Sequence, residues 1–135
     1  MGLVRLVYAS HPFGFDAATL YAILTSARRN NARDGITGAL ICRGDLYLQL
    51  LEGPGEAVAA AYARIERDDR HLEVTRLLDG PAATRMCPNW AMRDDPAQSW
   101  MWTQAEVAAG AVERATQAEI LGVFERLLDE APAPA

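Results

Sequence analysis

The stretch Asn30-Asn31-Ala32-Arg33-Asp34-Gly35-Ile36-Thr37-Gly38 lies between an amphipathic helix pattern and an apolar strand pattern. Asn and Gly at the end of a helix are ordinary C-terminal cap residues. Two adjacent carboxamides can also serve a ligand, because each amide carries both a donor and an acceptor. On its own, the stretch leaves two interpretations of Asn30 and Asn31 open, capping and ligand binding.

A third carboxamide, Gln49, lies in a strand pattern over residues 46–52 that is otherwise rich in Leu. Gln is unusual inside a strand, and a buried amide needs hydrogen-bond partners. Three amides converging on one sheet face favour a ligand with an amide-like edge, such as a flavin ring. Period-two alternation divides this strand into two largely apolar faces: Leu46, Leu48 and Leu50 on one, Tyr47, Gln49 and Leu51 on the other.

Length and composition exclude several classes of protein. At 135 residues the chain is long enough for one domain with a real core, and its net charge of −5 argues against nucleic-acid binding. It contains no Lys, which excludes Schiff-base chemistry and a Walker-type phosphate site. Two cysteines, Cys42 and Cys87, are too few for a disulfide framework or a zinc site.

The expected location is the cytoplasm. The apolar run at the N-terminus, Met1-Gly2-Leu3-Val4, is too short for the apolar region of a signal peptide, because the charged residue Arg5 interrupts it. No apolar run is long enough to span a membrane.

The remaining periodicities predict an α+β fold. A first strand over residues 3–10 places the Tyr8 phenol on the core side, where it needs a partner. A first helix, with Asp16 as N-cap, should end near Asn31. Gly44-Asp45 predicts a tight hairpin. The other predicted elements are strands at 36–42, 46–52, 72–78 and in part of 86–93, the last with Trp90 and Met92 on one face, and a helix with the stripe Val58, Ala61, Tyr62 and Ile65.

Two capping boxes, Thr103-Gln104-Ala105-Glu106 and Thr116-Gln117-Ala118-Glu119, each predict the start of a C-terminal helix. We expect a main domain at 1–95, a helical extension at 96–130 and a disordered tail at 131–135. The element order predicts a ferredoxin-like βαββαββ sheet with two helices on one face. The C-terminal segment or a second subunit should cover the other face, which leaves a monomer and a homodimer open.

Other chemistry finds little support. Gly53-Pro54-Gly55-Glu56-Ala57-Val58 lacks the third Gly of a dinucleotide loop and places Glu56 where a phosphate would lie, so it is interpreted as a helix-entry turn. His11 and His71 are far apart in sequence and no nucleophile motif is present. Metal or triad chemistry is therefore not expected, and His71 is interpreted as a loop residue.

Several motifs in order resemble the BLUF family, the blue-light sensors that use flavin adenine dinucleotide (FAD), over residues 3–93. They are Arg5-Leu6-Val7-Tyr8, the stretch 30–38, Leu48-Gln49-Leu50-Leu51-Glu52-Gly53, Arg64 with Asp68, Arg70-His71, and Trp90-Ala91-Met92. A Ser often found late in the family's first helix is absent, since that position is Ala27.

The resemblance implies a role for each matching residue. The implied photoactive residues are Tyr8, Gln49, Trp90 and Met92. The implied contacts to FAD are Asn30, Asn31, Gln49, Arg64 and Asp68.

The implied function is that of a sensor and not of an enzyme. Light drives transfer of an electron and a proton from Tyr8 to the flavin. The radical pair then collapses, which leaves Gln49 rotated or tautomerised and the flavin absorption shifted to the red. The last strand and the C-terminal helices then signal to an unidentified downstream protein or through self-association.

Two other functions remain as alternatives. A ferredoxin-like regulatory module that binds a small metabolite or a protein, without photochemistry, would be colourless. An acylphosphatase-like enzyme would need an Arg in the loop after the first strand, and His11-Pro12-Phe13-Gly14 offers none.

Overall fold

A single five-stranded sheet organises the chain in the computed structural model, which describes residues 2–12, 17–68, 71–88, 92–96 and 100–130. The elements in chain order are β1 (Leu3–Pro12), α1 (Ala17–Asp34), β2 (Thr37–Arg43), β3 (Leu46–Pro54), α2 (Gly55–Glu66), β4 (His71–Pro81), β5 (Arg93–Pro96), α3 (Gln104–Ala108), α4 (Ala111–Arg114) and α5 (Gln117–Glu130).

The strand order is β4-β1-β3-β2-β5, in which all neighbouring pairs are antiparallel except β2 with β5. This confirms the predicted ferredoxin-like α+β arrangement with an added strand. The hairpin between β2 and β3 turns at Gly44-Asp45 as predicted, because Arg43 pairs with Leu46. On the two central strands Tyr8 lies opposite Gln49, so their side chains share one face of the sheet.

Each face of the sheet buries its own apolar cluster. On the helix side, α1 and α2 contribute Ile23, Leu24, Val58, Ala61 and Tyr62 against sheet residues such as Leu6 and Leu51. On the opposite side, Leu46, Leu48 and Leu50 pack in one cluster with residues of the C-terminal helices: Val107, Val112, Ile120, Phe124 and Leu127. The predicted division of β3 into two faces is confirmed, and the chain's own C-terminal segment covers the second face. The domain division at residue 95 stays a prediction, and the predicted tail, 131–135, lies outside the described residues.

The end of the first helix differs from the prediction. Helix α1 continues past Asn31 to Asp34, and Gly35 follows with φ +73°. The backbone N–H of Ile36 donates to the Asn31 carbonyl at 2.9 Å, the long-range bond of a Schellman cap. Gly35 therefore supplies the left-handed residue that the cap needs. Interpreting the two Asn residues as helix-end caps was wrong, since both lie inside the helix.

The last strand is also displaced from its predicted position. The prediction placed it within 86–93, but β5 begins at Arg93. The backbone N–H groups of Met86 and Cys87 donate to the carboxylate of Glu52, so they take no part in a strand ladder. Met92 directly precedes β5, whereas Trp90 lies outside the described residues, as does the predicted N-cap Asp16.

Both predicted capping boxes are present. Thr103 and Glu106 exchange side-chain and backbone hydrogen bonds at the start of α3, and Thr116 and Glu119 do the same before α5. Gly110, with φ +86°, separates α3 from α4, a break that the sequence analysis did not predict. No helix in the described ranges has the length and apolar content needed to cross a membrane.

Candidate functional site

A cavity of about 220 Å³ lies between α1, α2 and the sheet, and we call it the helix-side cavity. Its walls combine apolar side chains with amides, charges and an imidazole. The lining residues are Ile23, Ser26, Ala27, Asn30, Asn31, Gln49, Leu51, Ala61, Arg64, Ile65, Asp68 and His71.

All five predicted cofactor contacts line this cavity. Asn30 and Asn31 come from the last turns of α1, Gln49 from the middle of β3, Arg64 from the last turn of α2, and Asp68 from the segment just after it. Asn31 and Gln49 are each only 3% exposed. The tertiary structure thus brings together residues from three distant parts of the sequence. Their role in binding stays a prediction.

Gln49 is the centre of a buried chain of three side chains. The Tyr8 hydroxyl donates to Gln49 Oε1, and Gln49 Nε2 donates to the Met92 sulfur at 3.3 Å. Tyr8 and Met92 are buried as completely as Gln49. The two ends of the amide are therefore engaged differently, the oxygen by a donor and the nitrogen by an acceptor.

The Tyr8 phenol is held in its protonated form. Its burial raises the pKa well above the ordinary value for a tyrosine, and the negative charge of Asp68 acts in the same direction. The neighbouring phenols of Tyr62 and Tyr47 add smaller effects of the same sign. At neutral pH the phenol is consequently a hydrogen-bond donor to Gln49.

His71 is a cavity residue that the sequence analysis missed. It was interpreted as a loop residue, but it begins β4 and is buried. Its Nδ1 lies 2.8 Å from Ser10 Oγ, and its ring centroid lies 5.9 Å from that of Tyr8. The motif Arg70-His71 was the available signal. Ser26 was missed too, and it lines the cavity next to Ala27, where the family's usual Ser is absent.

Arg64 is partly exposed, with 39% of its side-chain surface accessible, and it lies 3.6 Å from Asp34. The pKa of Asp34 is lowered, chiefly by its hydrogen bond with Arg33 and to a smaller extent by Arg64. One carboxylate, that of Asp34, lies near two guanidinium groups, those of Arg33 and Arg64. The positive charge of Arg64 is therefore only partly balanced and can attract a negatively charged ligand group at the cavity.

A second polar group, on the opposite face of the sheet, was also missed. Glu52 is fully buried, and its carboxylate accepts from Arg5 Nε and from the backbone N–H groups of Met86 and Cys87, each at 2.8 Å. We call Glu52 with these three donors the Glu52 site. The signal was its position on a strand face predicted to be covered, since a buried carboxylate requires partners.

The helix-side cavity fits the chemistry of a flavin ring. Carboxamides and an imidazole offer the mixed donors and acceptors that the pyrimidine edge of an isoalloxazine requires. The volume is below the ~300–1,000 Å³ typical of pockets for drug-sized ligands. It therefore suits one ring system with the rest of the ligand outside. Among the described residues, no group of three or more His, Cys, Asp or Glu is placed to hold a metal ion.

Comparison with known proteins gives an independent result. The family model BLUF, described as sensors of blue light using FAD, matches residues 3–93. The chain is 42% identical over 74 residues to the photoactivated adenylate cyclase subunit beta of Euglena gracilis. This alignment covers 54% of the chain but only 9% of the cyclase subunit, so the chain corresponds to a small part of that relative.

Solved structures match almost the whole chain. BlsA in its ground state superposes with a TM-score of 0.82 at 25% identity, over 98% of this chain and 91% of that one. BlrB, a BLUF protein in its dark state, superposes with a TM-score of 0.75 at 28% identity, over 94% and 95%. The match extends beyond the family model to the C-terminal helices.

Proposed function

The chain belongs to the BLUF family of flavin-binding blue-light sensors, and we propose that Tyr8 and Gln49 form its light-driven switch beside FAD in the helix-side cavity. The observation that carries this proposal is the hydrogen bond from Tyr8 to a Gln49 amide that also lines the cavity. A bound flavin supplies the absorption of blue light and a ring that accepts an electron and a proton.

Tyr8 is the proposed donor of that electron and proton. Its phenol is neutral in the ground state, and burial and the Asp68 charge raise its pKa still further above neutral pH. Its O–H is already bonded to Gln49 Oε1, so the amide connects the phenol with the ligand position. Buried apolar and aromatic side chains around the pair keep bulk water out.

Gln49 is the proposed group that retains the change after the electron and the proton have returned to Tyr8. A rotated amide presents nitrogen to Tyr8 and oxygen to Met92, and a thioether has no proton to donate to that oxygen. The contact between Nε2 and the Met92 sulfur would then be lost. A tautomerised amide would keep one N–H on its nitrogen, so the state of this contact distinguishes the two routes.

The proposed signal leaves through Met92. Met92 directly precedes β5, which pairs with β2 at the edge of the sheet. The C-terminal helices pack on the sheet face opposite the cavity. We propose that β5 and these helices communicate with a downstream protein in the cytoplasm, that a homodimer is one form of this output, and that the chain itself performs no net catalytic step. Trp90, two positions before Met92 in the sequence, is proposed as a further photoactive residue.

FAD is proposed over FMN because the family model is described by FAD. Arg64, partly exposed at the cavity, is the proposed partner of the flavin phosphate, a group that both cofactors carry. The test is to release the flavin from purified protein by denaturation and to identify it by chromatography. Release of FMN alone would overturn the choice of FAD without affecting the switch.

The light response is tested with Tyr8→Phe. We expect wild-type protein to be yellow and to show a red-shifted flavin spectrum under blue light, because illumination changes the hydrogen bonds around the ring. Tyr8→Phe should retain the flavin and lose the shift, since a phenyl ring has no hydroxyl proton to transfer.

Tyr21→Phe is the matched control, because Tyr21 lies on the same side of the sheet in α1 but is 72% exposed. It should retain the full shift. A full shift in Tyr8→Phe would refute the donor role of Tyr8. A colourless wild-type protein after expression with added flavin would favour the regulatory module instead.

A further inference from the structure

Arg28 connects helix α1 to the residue that receives the proposed signal. Its Nε–H donates to the backbone carbonyl oxygen of Met92 at 3.0 Å, over a sequence separation of 64 residues. Arg28 lies one helical turn before Asn31, which lines the helix-side cavity. The same turn of α1 therefore lines the cavity and is hydrogen-bonded to the residue that directly precedes β5.

The segment before β5 is held at a second point. At the Glu52 site, the backbone N–H groups of Met86 and Cys87 are fixed to a buried carboxylate. Arg85 adds hydrogen bonds to the carbonyl oxygens of Glu52 and Gly35. Residues 85–87 are thus attached to β3 and to the turn before β2. Arg28 supplies a further attachment point downstream, at Met92, whose sulfur meets Gln49.

The Met92 backbone and side chain are engaged by different elements. Its carbonyl oxygen accepts from α1, while its sulfur accepts from Gln49 Nε2 on β3. A hydrogen bond from a charged donor is stronger than one between neutral groups. The bond to Arg28 therefore contributes to keeping the sulfur in reach of the amide, and it resists a displacement of β5 when that amide rearranges.

We infer that Arg28 is a positioning residue of the light response: by holding the Met92 carbonyl, it stabilises the ground-state arrangement of Gln49 and Met92 relative to the illuminated one. This inference rests on the proposed function. Arg28 acts in this proposal through the backbone carbonyl of Met92. Arg28 is an exposed residue, so replacing it should leave the fold intact.

The test compares Arg28→Gln with wild type in two measurements. After blue light, the variant should show the same red shift but return to its ground-state spectrum about two- to five-fold more slowly, as expected from losing part of one hydrogen bond that favours the ground state. In flavin-free protein, hydrogen exchange of a peptide covering residues 92–96 should be faster in the variant by about five-fold.

Arg29→Gln is the matched control, because it removes the same charge from the neighbouring, exposed position. It should change neither measurement. Arg28→Lys should restore part of both, because an ammonium can donate to the same carbonyl. Unchanged recovery and exchange in Arg28→Gln, or equal changes in Arg29→Gln, would overturn the inference. If wild type shows no light-induced shift, the proposed function fails, and the exchange experiment still tests whether Arg28 holds residues 92–96.

Discussion

Strand β3 carries two buried polar side chains three residues apart, on opposite faces of the sheet. Gln49 lies on the helix side between a phenol and a thioether. Glu52 lies on the other side among a guanidinium and two backbone N–H groups. One group is neutral with interchangeable ends, and the other is charged with three donors directed at it.

The difference shows how one strand can serve both as a switch and as a fixed point. A neutral amide can exchange its donor and acceptor ends, and each of its partners is a side chain. A buried carboxylate can only accept, and two of its donors are backbone groups that cannot move separately from the chain. Rearrangement at Gln49 can therefore leave the Glu52 site unchanged.

The largest expected effect is the loss of stability in Glu52→Gln. The substitution leaves Arg5 without its carboxylate and places an NH₂ group against backbone donors, so the free energy of unfolding should fall by about 3–5 kcal/mol. Chemical denaturation of wild type and variant measures this. Glu125→Gln, at an exposed position on α5, should stay within about 0.5 kcal/mol of wild type.

Removing a partner as well should not rescue this site. In Arg5→Met with Glu52→Leu, the N–H groups of Met86 and Cys87 still lose their acceptor, so the double variant should remain destabilised by at least about 2 kcal/mol. A double variant as stable as wild type would show that the two backbone N–H groups contribute little to stability. The proposed difference between Glu52, fixed by backbone donors, and Gln49, bonded only to side chains, would then be wrong.

A smaller effect is expected for Gln49→Leu. The Tyr8 hydroxyl loses its acceptor inside the core, which should cost about 1–2 kcal/mol and abolish the light-induced shift while the flavin stays bound. Adding Tyr8→Phe removes the unpaired hydroxyl, so the double variant should recover most of that stability, unlike the pair at the Glu52 site. Denaturation curves and visible spectra of the three proteins decide this; a photoactive Gln49→Leu protein would exclude the amide switch.

The smallest effect concerns the alkaline range. Because the pKa of Tyr8 is raised by folding, its contribution to stability is complete below about pH 10, the ordinary value for a tyrosine. It is lost as the pH rises through the pKa of the folded state. Between pH 8 and pH 10.5 the free energy of unfolding of wild type should therefore fall by more than that of Tyr8→Phe. The difference between the two losses should be less than about 1 kcal/mol. Denaturation at pH 8 and pH 10.5 measures it, and parallel losses in both proteins would contradict the assignment.

Several features of the fold were accessible from local patterns. Alternation along β3 separated Gln49 from Leu48 and Leu50 correctly, because side chains of a strand point to alternate faces. The two Thr-initiated capping boxes form with both of their hydrogen bonds. These signals depend on residues within four positions of each other, which a sequence displays directly.

The failures share a different cause. The β5 strand was placed too early because Met86 and Cys87 are attached to Glu52, 34 and 35 residues away. His71 was assigned to a loop because its contact with Ser10 spans 61 residues. In both cases the partner comes from another strand, and local propensity contains no information about it.

The sequence by itself determined the order of the strands and of the first two helices, the two faces of β3, and the presence of Tyr8, Gln49 and two adjacent amides in a pattern that resembles a flavin-binding family. These follow from periodicity and residue chemistry, which act over a few residues. Only the tertiary structure decided that Gln49 connects Tyr8 with Met92, that Arg28 holds the Met92 carbonyl, and that Glu52 fixes the segment before β5. The physical reason is that a buried polar group takes its partners from whatever the packed sheet and helices bring within hydrogen-bond distance.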